Sequence, residues 1–167
     1  MIKKKICMLG AFAVGKTSLV QQFVRSIFSE SYLSTVGVRV DKKSVVVDDR
    51  QVDLIVWDIH GEDSIQSVAP SYLRGAAGFL VVADGTRRET LGVVEELIER
   101  VRQVEGDQPI EILINKADLA DKWEIGDPEL AKLEENGRRI RKTSARTGEG
   151  VEDAFLALAR SVLNGSA

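Results

Sequence analysis

The stretch GAFAVGKTS, residues 10–18, combines two glycines, a lysine and two hydroxyl groups at a spacing that suits phosphate binding. It matches the pattern G-x-x-x-x-G-K-[ST], and it lies between a strand-like apolar run and residues at helical spacing, as that pattern requires. The glycines let successive backbone N–H groups point inward, and the start of the following helix favours negative charge. We therefore predict a loop that holds phosphates. The predicted contacts are Ala13, Val14, Gly15, Lys16, Thr17 and Ser18.

Polar residues of this segment and of two later segments predict a magnesium site beside the phosphates. Lys16 is expected to reach the β- and γ-phosphates, and the Thr17 hydroxyl to ligate Mg²⁺. Thr35, in a polar loop, can supply a second hydroxyl to the metal. Asp58, at the end of a strand-like run, is expected to hold a metal-bound water. Gly61 lets a backbone N–H approach the γ-phosphate.

The sequence NKAD, residues 115–118, follows another apolar strand and predicts recognition of guanine. Guanine presents two neighbouring donors, and the Asp118 carboxylate offers only acceptors, so one side chain can take both. Adenine would leave that carboxylate unpaired, and buried unpaired groups discriminate strongly. The aliphatic part of Lys116 can cover the face of the base, and Asn115 is included in the predicted nucleotide site.

Three residues of TSARTG and one aromatic complete the predicted base site. The backbone N–H of Ala145 can donate to guanine O6, Ser144 braces the loop, and Arg146 lies beside them. Phe28 can contact the base edge-on, although, for this residue taken alone, an aromatic side chain of the core is the better explanation.

Composition limits the class of protein. The 167 residues carry a net charge of −3, with 44% hydrophobic and 29% charged residues, as in ordinary globular domains. The acidic balance argues against nucleic acid as a partner. No apolar run approaches the roughly 18 residues that span a bilayer. Residue 2 is Ile, where myristoylation needs Gly, and the C-terminal residues contain no cysteine for prenylation. We therefore expect a cytoplasmic protein without a lipid anchor.

The chemistry-bearing segments lie between alternating strand and helix patterns. This alternation, with a hairpin turning near 48–51, predicts one α/β domain over residues 1–167. We predict a P-loop NTPase fold with about six strands, mostly parallel, one antiparallel edge strand, and helices on both faces. Ligands of such sheets bind at the carboxyl ends of the strands, where each of these motifs falls.

With these loops in this order, the chain resembles the Ras-superfamily small GTPases over essentially its whole length. The segments VWD, YLRGA and TSARTG are similar to the Rab-like branch. The absence of a lipidation cysteine and a variable tail favours a prokaryotic Ras-like GTPase or a domain of a larger protein. The resemblance implies a switch that binds GTP or GDP with Mg²⁺ and hydrolyses GTP slowly. It also implies an effector, with Val36 and Val38 as candidate contacts, and an exchange factor or GTPase activator as further partners.

One position departs from the family pattern. The family has glutamine directly after Gly61, where it orients the attacking water, and this chain has Glu62. The resemblance therefore implies Lys16, Thr35, Gly61 and Glu62 as the catalytic set. Glu62 either positions water with slow turnover, or turns to solvent and leaves a GTP-binding module with negligible hydrolysis. A P-loop kinase that uses ATP is a further alternative, which Asp118 disfavours.

Overall fold

The computed structural model describes residues 2–24, 38–59 and 69–165, together with the backbone of 30–33. Strands and helices alternate along the chain. The strands are β1 (Ile2–Gly10), β2 (Glu30–Leu33), β3 (Val38–Val47), β4 (Arg50–Ile59), β5 (Gly78–Asp84), β6 (Ile110–Asn115) and β7 (Arg139–Lys142). The α-helices are α1 (Lys16–Val24), α2 (Pro70–Leu73), α3 (Glu89–Glu105), α4 (Asp127–Glu135) and α5 (Val151–Leu163). A 3₁₀ helix spans Ala117–Lys122.

In the described part of the chain the strands form one sheet in the order β2-β3-β4-β1-β5-β6-β7. All neighbouring pairs from β4 to β7 are parallel, and β3 runs antiparallel to both of its neighbours. The α/β fold class and the mostly parallel sheet are therefore confirmed. The short strand β2 was not predicted; because it pairs outside β3, the antiparallel strand is second from the edge.

The hairpin formed by β3 and β4 confirms the turn that the sequence predicts. The two strands pair in continuous register from Val38 opposite Ile59 to Val47 opposite Arg50. Asp48 and Asp49 connect them with φ angles of 50° and 63°. Positive φ at both central residues is the geometry of the two-residue turns whose twist matches that of the strands, and Asp tolerates it better than most residues.

Alternating side chains of the central strands supply two separate cores. One face of the sheet packs against α1 and α5, and the other packs against α3 and α4. The first core takes Ile6, Met8, Leu80, Val82 and Leu113 from the strands. The second takes Cys7, Leu9, Phe79, Val81, Ile112 and Ile114. Strands covered on both faces are almost continuously apolar, which explains the runs in the sequence.

The parallel strands bring distant residues together at one edge of the sheet. β1 ends at the phosphate loop, β4 near Asp58, β5 at Asp84 and β6 at Asn115. Since β1 pairs with β4 and β5, and β5 with β6, these ends are neighbours in space. None of the helices in the described residues has the length and apolar character that crossing a bilayer requires.

Replacement of Phe155 by alanine tests the first core. Phe155 is fully buried in α5, and its ring stacks on Phe23 of α1 with centroids 3.9 Å apart. We expect Phe155→Ala to lower the free energy of unfolding by about 3–5 kcal/mol, because the substitution leaves a cavity that the two helices cannot close. Val46→Ala, at a side chain that is 68% exposed, is the control, with a loss below about 1 kcal/mol in urea titrations. Equal losses would show that α1 and α5 do not share a packed core.

Candidate functional site

The loop between β1 and α1 forms one wall of a cavity of about 430 Å³ at the carboxyl edge of the sheet. Two of its residues have left-handed backbone conformations, Ala13 with φ 62° and Gly15 with φ 103°. A Cβ atom on Gly15 would lie 2.3 Å from Nδ2 of Asn115, so only glycine fits there. The cavity is lined by Phe12, Ala13, Gly15, Lys16, Thr17, Ser18 and Lys116.

Lys16 places a buried positive charge beneath this cavity. Its side chain is 6% exposed, and its Nζ donates hydrogen bonds to the carbonyl oxygens of Gly10 at 2.9 Å and Ala11 at 3.3 Å. Burial lowers the pKa of Lys16 to about 8, and the Asp58 carboxylate opposes that shift. A phosphate in the cavity would stabilise the charged amine further, because opposite charges at short distance favour the ionised form.

Thr17 and Asp58 meet at the second wall of the site. The Thr17 hydroxyl donates to Oδ2 of Asp58 at 2.6 Å. Asp58 is fully buried, and its Oδ1 has no hydrogen-bond partner among the described residues. A buried carboxylate oxygen with unused acceptor capacity, next to a hydroxyl, fits Mg²⁺, which takes oxygen ligands and retains several waters.

Asn115 ties the phosphate loop to the segment after β7. Its Nδ2 donates to the carbonyl of Val14 at 2.9 Å. Its Oδ1 accepts hydrogen bonds from the Thr143 hydroxyl at 3.1 Å and from the Ala145 N–H at 3.2 Å. A fully buried amide thereby uses both of its ends to hold together three segments of the chain.

Asp118 is exposed in the next turn and is oriented by its neighbours. The Ser144 hydroxyl donates to Oδ1 of Asp118 at 2.8 Å, and the N–H of Thr147 donates to Ser144. Each carboxylate oxygen has two acceptor positions, so this bond leaves capacity for two external donors. Lys116, with a left-handed φ of 74°, begins this turn, and Trp123 Nε1 donates to its carbonyl at 2.8 Å.

The comparison with known proteins agrees with this arrangement. The family model described as "Ras family" matches residues 5–164. The chain is also similar to Ras-related protein Rab-4B from Rattus norvegicus, Homo sapiens and Mus musculus. Each is 37% identical over 162 residues, which cover 96% of this chain and 76% of the relative. The chain belongs to the Ras family. It is therefore a small GTPase, a switch protein that binds guanine nucleotides.

In this Ras-family GTPase six of the predicted site residues line one cavity, and five more, Asp58, Asn115, Asp118, Ser144 and Ala145, belong to the hydrogen-bonded segments beside it. Five residues of the phosphate loop and Lys116 line it, whereas the Val14 side chain lies in the core and only its carbonyl faces Asn115. Arg146 is exposed on the loop that carries Ala145. The other predicted residues, Phe28, Thr35, Gly61 and Glu62, lie outside the residues that the structure describes.

The expected effector contact at Val38 is wrong. Val38 is 2% exposed, because it begins β3 opposite Ile59 and packs into the second core. The alternation in VGVRVD, residues 36–41, already indicates a strand with Val38 and Val40 on one apolar face, and the second core covers that face. The companion residue Val36 lies outside the described residues.

Asp84, which was not among the predicted site residues, is the second buried carboxylate at this edge, after Asp58. It ends β5, is fully buried, and forms an ion pair with Lys116 Nζ at 2.8 Å. Burial alone would raise the pKa of Asp84, but hydrogen bonds from Lys116, Thr86 and Arg87 outweigh it and hold the pKa below its usual value. The signal that could have identified Asp84 is its position at the end of the otherwise apolar run GFLVVAD, where ligands of such sheets bind.

Replacement of Asn115 by aspartate tests the link between the two loops. The substitution keeps the acceptor for Thr143 and Ala145 but places a carboxylate oxygen against the Val14 carbonyl. We expect the nucleotide-free protein to lose about 1–3 kcal/mol of unfolding free energy, as for other buried polar groups without a partner. The matched control is Asn136→Asp at the exposed end of α4, where we expect less than about 1 kcal/mol in the same urea titration. A similar loss in both variants would contradict a special role for Asn115.

Proposed function

We propose that this GTPase binds GTP or GDP with Mg²⁺ in the cavity at the carboxyl edge of the sheet, as a single G domain over residues 1–167. The observation that carries the proposal is the connection through Asn115, which fixes the phosphate loop and the base-binding segments relative to each other. A ligand with a purine at one end and phosphates at the other fits this arrangement. Its location in the cytoplasm stays a prediction.

The base end of the site supports guanine over adenine. Asp118 offers acceptors at the rim of the site, and Ser144 holds its carboxylate in place. Ala145 N–H already bonds Asn115 Oδ1, so donation to guanine O6 would be shared or would require that bond to lengthen. The stem of Lys116 extends between the base segment and the cavity and would lie along the face of the base. We expect Arg146 to contribute at the exposed side of the nucleotide.

The phosphate end of the site would bind and orient the reacting group. Backbone N–H groups of residues 13–18 would receive the phosphate oxygens, and Lys16 would approach the β- and γ-phosphates. Thr17 and Thr35 are the proposed ligands of Mg²⁺, and Asp58 would hold one of its waters. When bound, Mg²⁺ supplies positive charge that stabilises the phosphate oxygens during transfer. The N–H of Gly61 would contact the γ-phosphate.

Loss of the γ-phosphate is the proposed switching event. Thr35 and Gly61 would hold their loops against GTP and release them after hydrolysis. The proposed partners are an effector that binds the ordered loops, and an exchange factor or a GTPase activator. Phe28 is proposed to contact the base.

Removal of the Asp118 carboxylate tests guanine recognition. We expect Asp118→Ala to lower GTP affinity by at least about a hundredfold, since two hydrogen bonds to a charged acceptor are lost. Asp121→Ala, at an exposed aspartate three residues further on, is the control and should leave the affinity within about twofold. Calorimetric titration with GTP and ATP measures both. Equal affinity of the wild-type protein for ATP and GTP would contradict the proposal.

Glu62 decides between slow hydrolysis and negligible hydrolysis at this site. A carboxylate can accept a hydrogen bond from the attacking water as an amide does, but it donates toward phosphate only when protonated. We propose that Glu62 positions the water and that turnover is slow. The alternative is a carboxylate repelled from the phosphates, with negligible contribution to hydrolysis.

Single-turnover hydrolysis of bound GTP separates these two possibilities. If Glu62 positions the water, we expect Glu62→Ala to slow hydrolysis by at least about tenfold, within the range of positioned acid–base groups. Glu62→Gln, which can also donate a hydrogen bond, should be at least as fast as the wild type. An unchanged rate in Glu62→Ala would favour the alternative, provided that GTP affinity is also unchanged.

A further inference from the structure

Arg87, in the turn between β5 and α3, connects two parts of the site. Its Nε donates to Oδ2 of Asp84 at 3.1 Å, and its Nη2 donates to the backbone carbonyl of Phe12 at 2.6 Å. The guanidinium therefore uses two of its nitrogens at once, one toward a buried carboxylate and one toward the phosphate loop. Only a planar, forked cation can do this in a fixed geometry.

The bond to Phe12 has a consequence for the next amide. In a trans peptide the C=O and the following N–H point in opposite directions. Arg87 is not among the residues that line the cavity, so we expect the Phe12 carbonyl that it holds to point away from the cavity, and the Ala13 N–H of the same peptide plane to point toward it. Phe12 and Ala13 both line the cavity, so an inward N–H at this position is available to an anion.

Ala13 also needs such support for its backbone. Its φ of 62° is left-handed, a conformation that is unfavourable for a residue with a Cβ. A hydrogen bond from a charged donor to the preceding carbonyl stabilises the peptide in this orientation. Phe12 itself is 64% exposed, so its side chain does little to hold the loop.

Asp84 fixes Arg87 from the other side. The buried carboxylate accepts hydrogen bonds from Thr86 N–H and Oγ1 at its Oδ1, and contacts Arg87 and Lys116 at its Oδ2. Two cations and the N–H and hydroxyl of Thr86 thus fix the position of the Asp84 carboxylate. The result is a continuous series of contacts from Lys116 through Asp84 and Arg87 to Phe12.

We propose that Arg87 is a positioning residue for phosphate binding, which orients the Phe12–Ala13 peptide so that the Ala13 N–H faces the diphosphate of the nucleotide. This inference rests on the proposed phosphate-binding role of the loop. It assigns to Arg87 no contact with the nucleotide; its effect passes through the peptide that it holds. Arg87 should therefore raise the affinity for a nucleoside diphosphate, which reaches beyond the first phosphate, and leave the affinity for the nucleoside monophosphate unchanged.

The adjacent Arg88 is a matched control. It lies one residue further along, is 61% exposed, and pairs with Glu129 at 3.1 Å. It also hydrogen-bonds to the backbone carbonyl of Glu124. These partners belong to α4 and the segment before it, so removal of Arg88 changes the same kind of side chain away from the phosphate loop.

The test compares affinities for GDP and GMP in Arg87→Met, Arg87→Lys and Arg88→Met by calorimetric titration of the full chain with Mg²⁺ present. We expect Arg87→Met to weaken GDP binding about tenfold and GMP binding less than twofold, since one charge-assisted hydrogen bond that orders the loop is lost. Arg87→Lys keeps a charge for Asp84 but loses the fork, and should weaken GDP binding severalfold. Arg88→Met should leave both affinities unchanged.

Two results would overturn the proposal: equal loss of GDP and GMP affinity in the Arg87 variants, or GDP affinity in Arg87→Met that matches the wild type. Thermal unfolding checks that the variants fold, and if Arg87→Met does not fold, the ratio of GDP to GMP affinity in Arg87→Lys decides. A wild-type protein that binds neither nucleotide would contradict the proposed function instead, so the two failures are distinguishable.

Discussion

The amide of Asn115 is the interaction on which the rest of the site depends. The phosphate loop has two left-handed residues and few side chains of its own in the core, so it cannot hold its shape by local preferences alone. Asn115 hydrogen-bonds to the phosphate loop at Val14 and to the segment after β7 at Ala145. Asn115 is itself held in place at the end of β6, which is buried on both faces. The missing Cβ of Gly15 is what allows the amide to approach. The proposed binding site for a nucleotide, with its base at one end and its phosphates at the other, is thereby built on a buried strand.

Charge is distributed around this amide in a way that suits an anionic ligand. Lys16 is buried, its Nζ donates to the neutral carbonyls of Gly10 and Ala11, and burial lowers its pKa. The carboxylates of Asp58 and Asp84 are buried as well, but the first has unused acceptor capacity and the second is fully occupied. The buried amine costs free energy that a phosphate bound in the proposed site would offset, which would link nucleotide binding to the stability of the domain. Asp84 instead acts as a structural anchor between two loops.

Much of this molecule could be predicted from its sequence because the signals are local. The glycines and lysine of the phosphate loop, the NKAD segment and the apolar runs each depend on neighbouring residues, and the fold and the family followed from their order. Errors arose where distant pairing decides. The strand β2 forms only because β3 offers it an edge, and Val38 is buried because its face of the sheet packs into the second core. The start of α4 likewise depends on a contact that the local pattern does not specify: Gly126 is its N-cap, and Glu129 reaches back to the Gly126 N–H.

The amino-acid sequence by itself determined which chemical groups are present, where the backbone can form a phosphate loop, and that helices and strands alternate. Only the tertiary structure decided contacts such as those of Val14 with Asn115 across 101 residues and of Arg87 with Phe12 across 75. The physical reason is that backbone preferences and hydrophobic periodicity act over a few residues. Contacts between buried polar groups depend instead on the register of the strands and on the packing of two cores around them.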